Sequence, residues 1–229
     1  FYCREVPGLI GHVRQIPDAV RQKAEAHRRY REEIESLTGR DIRIALDEWN
    51  YWYGSHAFGE LGTRYFLKDA LGIAAGLNEF SRQSDIFLMA NYAQTVNVIG
   101  CIKTTKTQAA FATTGLALKL YRGRFGVLPV EVTADEPLDV AAALSEDRKT
   151  LTVAVVNPTM RELKISLKVS GATLTGSGQR WQIAGDDPMA YNEPGKAATV
   201  AIEEDSVSGV SEELPVAGCS ITLYALEVK

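Results

Sequence analysis

The amino-acid sequence predicts two fold classes in one chain: an α/β half followed by an all-β half, dividing near residue 125. Three observations carry this. Apolar runs of strand length alternate with helix-period segments over the first half. Short alternating strands separated by turn residues fill the second. The composition, 229 residues with 45% hydrophobic and 24% charged, suits one large or two modest domains with a sizeable core.

The elements follow in order. Pro17-Asp18 reads as the start of a helix running to about Leu37. Val20, Ala24, Tyr30, Ile34 and Leu37 approximate its apolar face, and Gly39 stops it. Arg28/Glu32 and Arg29/Glu33 are i,i+4 pairs on its solvated side. Residues 41–48 are apolar β-formers ending in Asp47 and Glu48, a buried parallel strand. After an aromatic- and glycine-rich loop, Thr63 to Gln83 reads as a second helix. Asp85 to Ala90 reads as a second buried strand, and residues 106–122 as a third helix. Such βα units imply a parallel sheet. In the second half, strands are predicted over 151–156, 163–169, 199–202 and 220–228, an antiparallel β-sandwich. Asn157-Pro158 and Gly176-Ser-Gly178 read as turns between them.

Composition excludes several classes. Lys and Arg number 25 against 29 Asp and Glu, a net charge of −4, which argues against a general nucleic-acid or membrane-surface binder. No apolar run approaches the roughly 18 residues of a membrane span. Cys3, Cys101 and Cys219 form neither a disulfide framework nor a CxxC metal site, and read as thiols in a reducing compartment. His12, His27 and His56 lack metal-ligand spacing, so no metal is expected, and His56 lies where it could touch a substrate.

The chemistry sits at strand ends, where parallel βα folds place functional residues. One strand ends in Asp47-Glu48-Trp49-Asn50-Tyr51-Trp52-Tyr53, the other in Asn91-Tyr92-Ala93-Gln94-Thr95-Val96-Asn97. Carboxylates beside aromatic faces suit a sugar site, because rings stack on sugars while acids and amides bond hydroxyls. A carboxylate can also attack an anomeric carbon. On a continuous strand Asp47 and Glu48 point to opposite sides, so only one faces the site. On these residues alone the alternative in which Asp47-Glu48 caps the next segment and Trp49 is core stands equally, and for Gln94 and Asn97 a role in stabilising a loop is the favoured reading.

Residues 44–53, Ile-Ala-Leu-Asp-Glu-Trp-Asn-Tyr-Trp-Tyr, resemble the nucleophile segment of glycoside hydrolase family 51, the α-L-arabinofuranosidases. Residues 89–99, Met-Ala-Asn-Tyr-Ala-Gln-Thr-Val-Asn-Val-Ile, resemble the family's eighth-strand segment, and the similarity extends through Lys119 to Gly123 and the final strands. The resemblance implies the C-terminal part of a (β/α)8 TIM barrel over residues 1–124, from the end of strand 6 to helix 8. A jelly-roll-like antiparallel β-sandwich over 125–229 follows. It implies Glu48 as the catalytic nucleophile, Gln94 as a sugar-hydroxyl ligand, and Tyr2 as the tyrosine that hydrogen-bonds the nucleophile. Trp52 and Asn50 shape the substrate site or hold its loop.

The implied activity is retaining hydrolysis of terminal α-L-arabinofuranosyl residues from arabinan or arabinoxylan, with no metal or organic cofactor. A β-xylosidase or endo-β-glucanase on the same barrel, or a non-catalytic carbohydrate-binding remnant, are the alternatives. A homo-oligomer and a cytoplasmic location are also implied. Retention needs a second carboxyl group roughly 5 Å from the nucleophile, a Glu after Asn in this family. Asn78-Glu79 falls inside a predicted helix and Asn192-Glu193 inside the sandwich, so the acid/base is expected upstream of Phe1. An eight-unit barrel needs about 250 residues. The chain is therefore expected to be a fragment that is inactive alone and needs the N-terminal part of the barrel.

Overall fold

The computed structural model describes residues 1–53, 62–209 and 213–229. In the first half, β1 (Tyr2–Cys3), β2 (Ile44–Tyr51) and β3 (Phe87–Tyr92) form a parallel sheet in the order β1-β2-β3. Helices α1 (Leu9–Glu33), α2 (Leu67–Arg82) and α3 (Thr113–Arg124) accompany it, and a small antiparallel hairpin, β4 (Ile102–Thr104) and β5 (Ala109–Phe111), precedes α3. Every named element after Arg124 is a strand. These are β6 (Leu128–Val130), β7 (Asp139–Leu144), β8 (Thr150–Asn157), β9 (Leu163–Ile165), β10 (Leu174–Ala184), β11 (Glu203–Ser208), β12 (Leu214–Val216) and β13 (Ser220–Val228). Six of them make an antiparallel sheet ordered β11-β10-β13-β8-β7-β6, and β12 pairs with β9 in a second layer.

Several boundaries differ from the sequence reading, each for a physical reason. Helix α1 begins eight residues before the predicted Pro17-Asp18 start, and Pro17 lies inside it, buried. A proline there forfeits one backbone hydrogen bond, offset by the apolar face that Val13, Ile16, Val20 and Ala24 bury. The helix ends at Glu33, because Ile34 is extended and Glu35–Leu37 tighten into a 3₁₀ turn. The predicted start of α2 at Thr63 moves to Leu67, where the Asp69 carboxylate accepts the Phe66 N–H at 2.6 Å. The predicted third helix loses its first seven residues to the hairpin loop, β5 and Ala112.

In the sandwich, Gly176-Ser-Gly178 is not a turn but lies within β10, beside a register irregularity between Leu174 and Gly178. Gly176 has a φ of +88°, and a Cβ on Gly178 would sit 2.3 Å from the Ala225 carbonyl oxygen, so the glycines serve a bulge in a strand. The predicted strand 163–169 stops at Ile165 because its partner β12 has only three residues, although Leu167 and Val169 still pack below it. Residues 199–202 form no strand. The Asn192 side chain supplies their bonds instead, accepting from Thr199 N and Val200 N at 3.0 Å and donating to the Val200 carbonyl at 2.8 Å.

One apolar core joins the halves. Ile73, Ala74, Leu116 and Leu120 of the helices share a cluster with Ala154, Val156, Trp181, Ile183, Ile221 and Leu223 of the large sheet. The opposite face of that sheet packs Val153, Val155, Tyr224 and Leu226 against Leu214 and Val216. The β8–β13 pair is thus buried on both faces.

Helix α2 approaches β2 closely at Gly72, where a Cβ would lie 1.9 Å from the Tyr51 hydroxyl.

Candidate functional site

The C-terminal ends of β1, β2 and β3 lie side by side, with Glu48 in the second half of β2. Ile44 and Leu46 pack into the core, and so do Trp49 and Tyr51, so the core-facing positions change from even to odd along β2. A register irregularity between Leu46 and Trp49 makes this switch. It interrupts the regular alternation on which the expectation of opposite sides for Asp47 and Glu48 depended, and both are exposed. Bulges of this kind re-aim side chains next to functional sites.

Tyr2 pairs with Asn50 across the β1–β2 ladder and donates its phenol O–H to Glu48 Oε2 at 2.8 Å. Burial, then the hydrogen bond to Glu48 and its negative charge, push the phenol up to about 12. Tyr2 therefore remains a neutral donor throughout the physiological range. The Trp52 indole is 44% exposed and meets the Tyr2 ring edge-on, with centroids 5.2 Å apart. An exposed aromatic face thus flanks the carboxylate.

Asn50 occupies a different place from the one a sugar ligand needs. It is fully buried and donates to the Tyr65 hydroxyl at 2.8 Å and to the Ala93 and Ile99 carbonyls at 2.6 and 2.8 Å. Of the two roles the sequence left to Asn50, the geometry fits holding the loop and not contact with substrate. Gln94 follows the end of β3 and is exposed, its amide donating to the Val96 carbonyl at 3.1 Å. Asn97 stabilises the same loop, donating to Thr104 Oγ1 at 3.1 Å and accepting from Thr104 N at 2.8 Å. His56 lies outside the described residues.

The two Asn-Glu pairs are far from this chemistry. Glu79 is buried in α2, where it accepts from Arg82, Arg21 and Gln83; burial opposes its charge, but these partners hold its pKa below the ordinary value. Asn192 is committed to the 199–200 backbone, and Glu193 pairs with Lys196 at 2.7 Å. Among the described residues no group of three or more His, Cys, Asp or Glu is placed to hold a metal. The three cysteines are free, and no described helix is long and apolar enough to cross a membrane.

Sequence reasoning missed the supports of the site. Tyr65 is buried and donates to the Tyr51 carbonyl at 2.7 Å. Lys103 is buried beneath the loop after β3, bonds the Val98 carbonyl at 3.1 Å, and has its pKa pushed down to about 8 by burial. Asp69 bonds Tyr53, Phe66 and His12. Only the aromatic density of residues 49–53 signalled such packing in the sequence.

Residues 47–218 match the family model described as the alpha-L-arabinofuranosidase C-terminal domain. The chain belongs to glycoside hydrolase family 51. Among curated relatives, a protein of Aspergillus flavus named probable alpha-L-arabinofuranosidase C is 35% identical over 181 residues. That match covers 70% of this chain and 35% of the relative, so the chain spans about a third of that relative's length. Among solved structures, the alpha-L-arabinofuranosidase of Thermotoga maritima in an arabinose complex has a TM-score of 0.83 at 24% identity, covering 97% of this chain and 51% of that one. The thermostable family 51 alpha-L-arabinofuranosidase of Thermotoga petrophila has a TM-score of 0.78 at 25% identity, covering 92% and 48%. The chain shares their fold over nearly its whole length.

Proposed function

We propose that this chain carries the nucleophile of a retaining α-L-arabinofuranosidase that removes terminal arabinofuranosyl residues from arabinan- or arabinoxylan-type glycans. The observation that carries the reading is the exposed Glu48 carboxylate, hydrogen-bonded by Tyr2 at 2.8 Å beside the half-exposed Trp52. Glu48 attacks the anomeric carbon as the glycosidic C–O bond breaks, and a second carboxylic acid gives its proton to the leaving oxygen. That carboxylate then takes a proton from water, which displaces Glu48 and regenerates both groups. Tyr2 fixes the attacking carboxylate, and Trp52 offers a stacking face for the sugar. Gln94 turns from its own loop to a sugar hydroxyl, where contacts strengthened in the transition state accelerate the reaction.

The second carboxyl group lies outside these residues in this reading, because both Asn-Glu pairs are engaged elsewhere. The three parallel strands are the last strands of a (β/α)8 barrel. Leu88 and Met89 on β3 are 70% and 45% exposed, whereas parallel sheets are ordinarily covered on both faces. Strands from the remainder of the full-length protein cover them and complete the site. The free thiols support a cytoplasmic location.

Mechanism-based labelling of the full-length enzyme with a fluorinated arabinofuranosyl donor tests the assignment. Peptide mapping should place the label on Glu48. A label on another carboxylate, or turnover of an arabinofuranoside by the 229-residue chain alone, overturns it.

A further inference from the structure

We propose that Asp69 is a positioning residue for Trp52, acting through the Tyr53 hydroxyl. The inference rests on the reading of Trp52 as a sugar-stacking face. Asp69 lies in the first turn of α2 and is completely buried. Its Oδ1 accepts the Tyr53 O–H at 2.5 Å and lies 2.8 Å from His12 Nε2, while Oδ2 accepts the Phe66 N–H at 2.6 Å. Capping α2 needs only the Phe66 bond. The bonds to Tyr53 and His12 reach out of the helix, and they tie the segment just after β2 and the start of α1 to one carboxylate.

His12 is held as firmly as Asp69. It is buried, its ring stacks on Tyr51 with centroids 4.6 Å apart and planes 9° from parallel, and its carbonyl accepts the Tyr51 O–H at 2.8 Å. The beginnings of α1 and α2 and the end of β2 therefore meet at Asp69. Trp52 sits between two fixed points. Its own N–H bonds the Cys3 carbonyl at 3.0 Å, and the next residue, Tyr53, is pinned by Asp69. The indole is not packed into the core, so beyond its edge-on contact with the Tyr2 ring its aim at the site depends on the backbone that these two anchors hold.

The test uses the full-length enzyme and a nitrophenyl arabinofuranoside. Tyr53→Phe keeps the ring and removes the O–H, and Asp69→Asn keeps the size and removes the charge. Stacking on the sugar acts alike in the ground and transition states, so each variant should raise KM about three- to tenfold with kcat within about twofold. Trp52→Ala should raise KM as well, and adding Tyr53→Phe to it should raise KM no further, because the two act through one contact. If Asp69→Asn does not fold, Tyr53→Phe carries the test. A lower Tm for Tyr53→Phe with unchanged KM, where Trp52→Ala raises KM, overturns the positioning role and leaves the functional reading intact. So do additive KM effects in the double variant. An unchanged KM in Trp52→Ala removes the stacking face itself, and with it the role assigned to Asp69.

Discussion

The two halves of the molecule treat their sheets differently. The central strands of the six-stranded sheet, β8 and β13, are covered on one side by α2 and α3 and on the other by the β9–β12 layer. The three-stranded parallel sheet buries Trp49, Tyr51 and Phe87 against its helices but leaves Leu88 and Met89 open. The candidate chemistry belongs to this open sheet and not to the finished one. Reactive groups need access, while the sandwich contributes a firm backing to the helices behind them.

The largest effect that tests this contrast concerns carboxylates. In the full-length enzyme, Glu48→Gln should lower kcat on the order of 10⁴-fold. Glu193→Gln, in the sandwich half, should change it less than about twofold, since a surface pair contributes little. Comparable losses from both would erase the functional difference between the halves. The next test concerns the open face. Leu88→Lys should cost the full-length protein about 3 kcal/mol by burying a charge, yet leave the urea midpoint of the 229-residue chain nearly unchanged. Val153→Lys, buried between sandwich layers, should be costly in both. Equal urea midpoints for the full-length protein with and without Leu88→Lys would show that no further strands cover this face.

A smaller effect is expected at Asn50. Asn50→Ala removes the side-chain donor of the buried Ala93 carbonyl and one of the donors of the Ile99 carbonyl, at about 3 kcal/mol or less, read as a lower Tm. The smallest is spectroscopic. Tyr2 keeps its proton up to about 12, so the stabilisation linked to it is whole below the ordinary tyrosine value of about 10 and is lost as pH rises through about 12. The phenolate difference signal between wild type and Tyr2→Phe should have its midpoint at about 12. A midpoint near the ordinary value would mean that neither the burial of Tyr2 nor its bond to Glu48 holds in solution.

Much of this was legible in the sequence because it depends on periodicity. Alternation marked 151–156 and 220–228, and helical spacing marked the interior of α1 and α2. The Asp-Glu-Trp-Asn segment drew attention to Glu48, and the resemblance it carries implied Tyr2. The remainder depends on partners distant in the chain. No local signal tells that Pro17 can lie inside a helix when Val13 and Ile16 beside it bury an apolar face, or that Gly176 and Gly178 bulge a strand and do not turn it. Asn192 replaces a ladder for residues 199–200 with one side chain, and hydropathy does not register that. Asn50 carries the same letters as a sugar ligand, and only its burial separates the two roles.

The continuous core has an evolutionary corollary. Modules that meet across polar joints can be shuffled between proteins. These two halves interlock Ile73 and Ala74 with Val156, Ile183 and Leu223, so grafting a foreign sandwich onto the helices would leave a mismatched seam. Change at the candidate site is therefore tied to strands on the far side of the helices, and the halves are constrained to change as one inheritance.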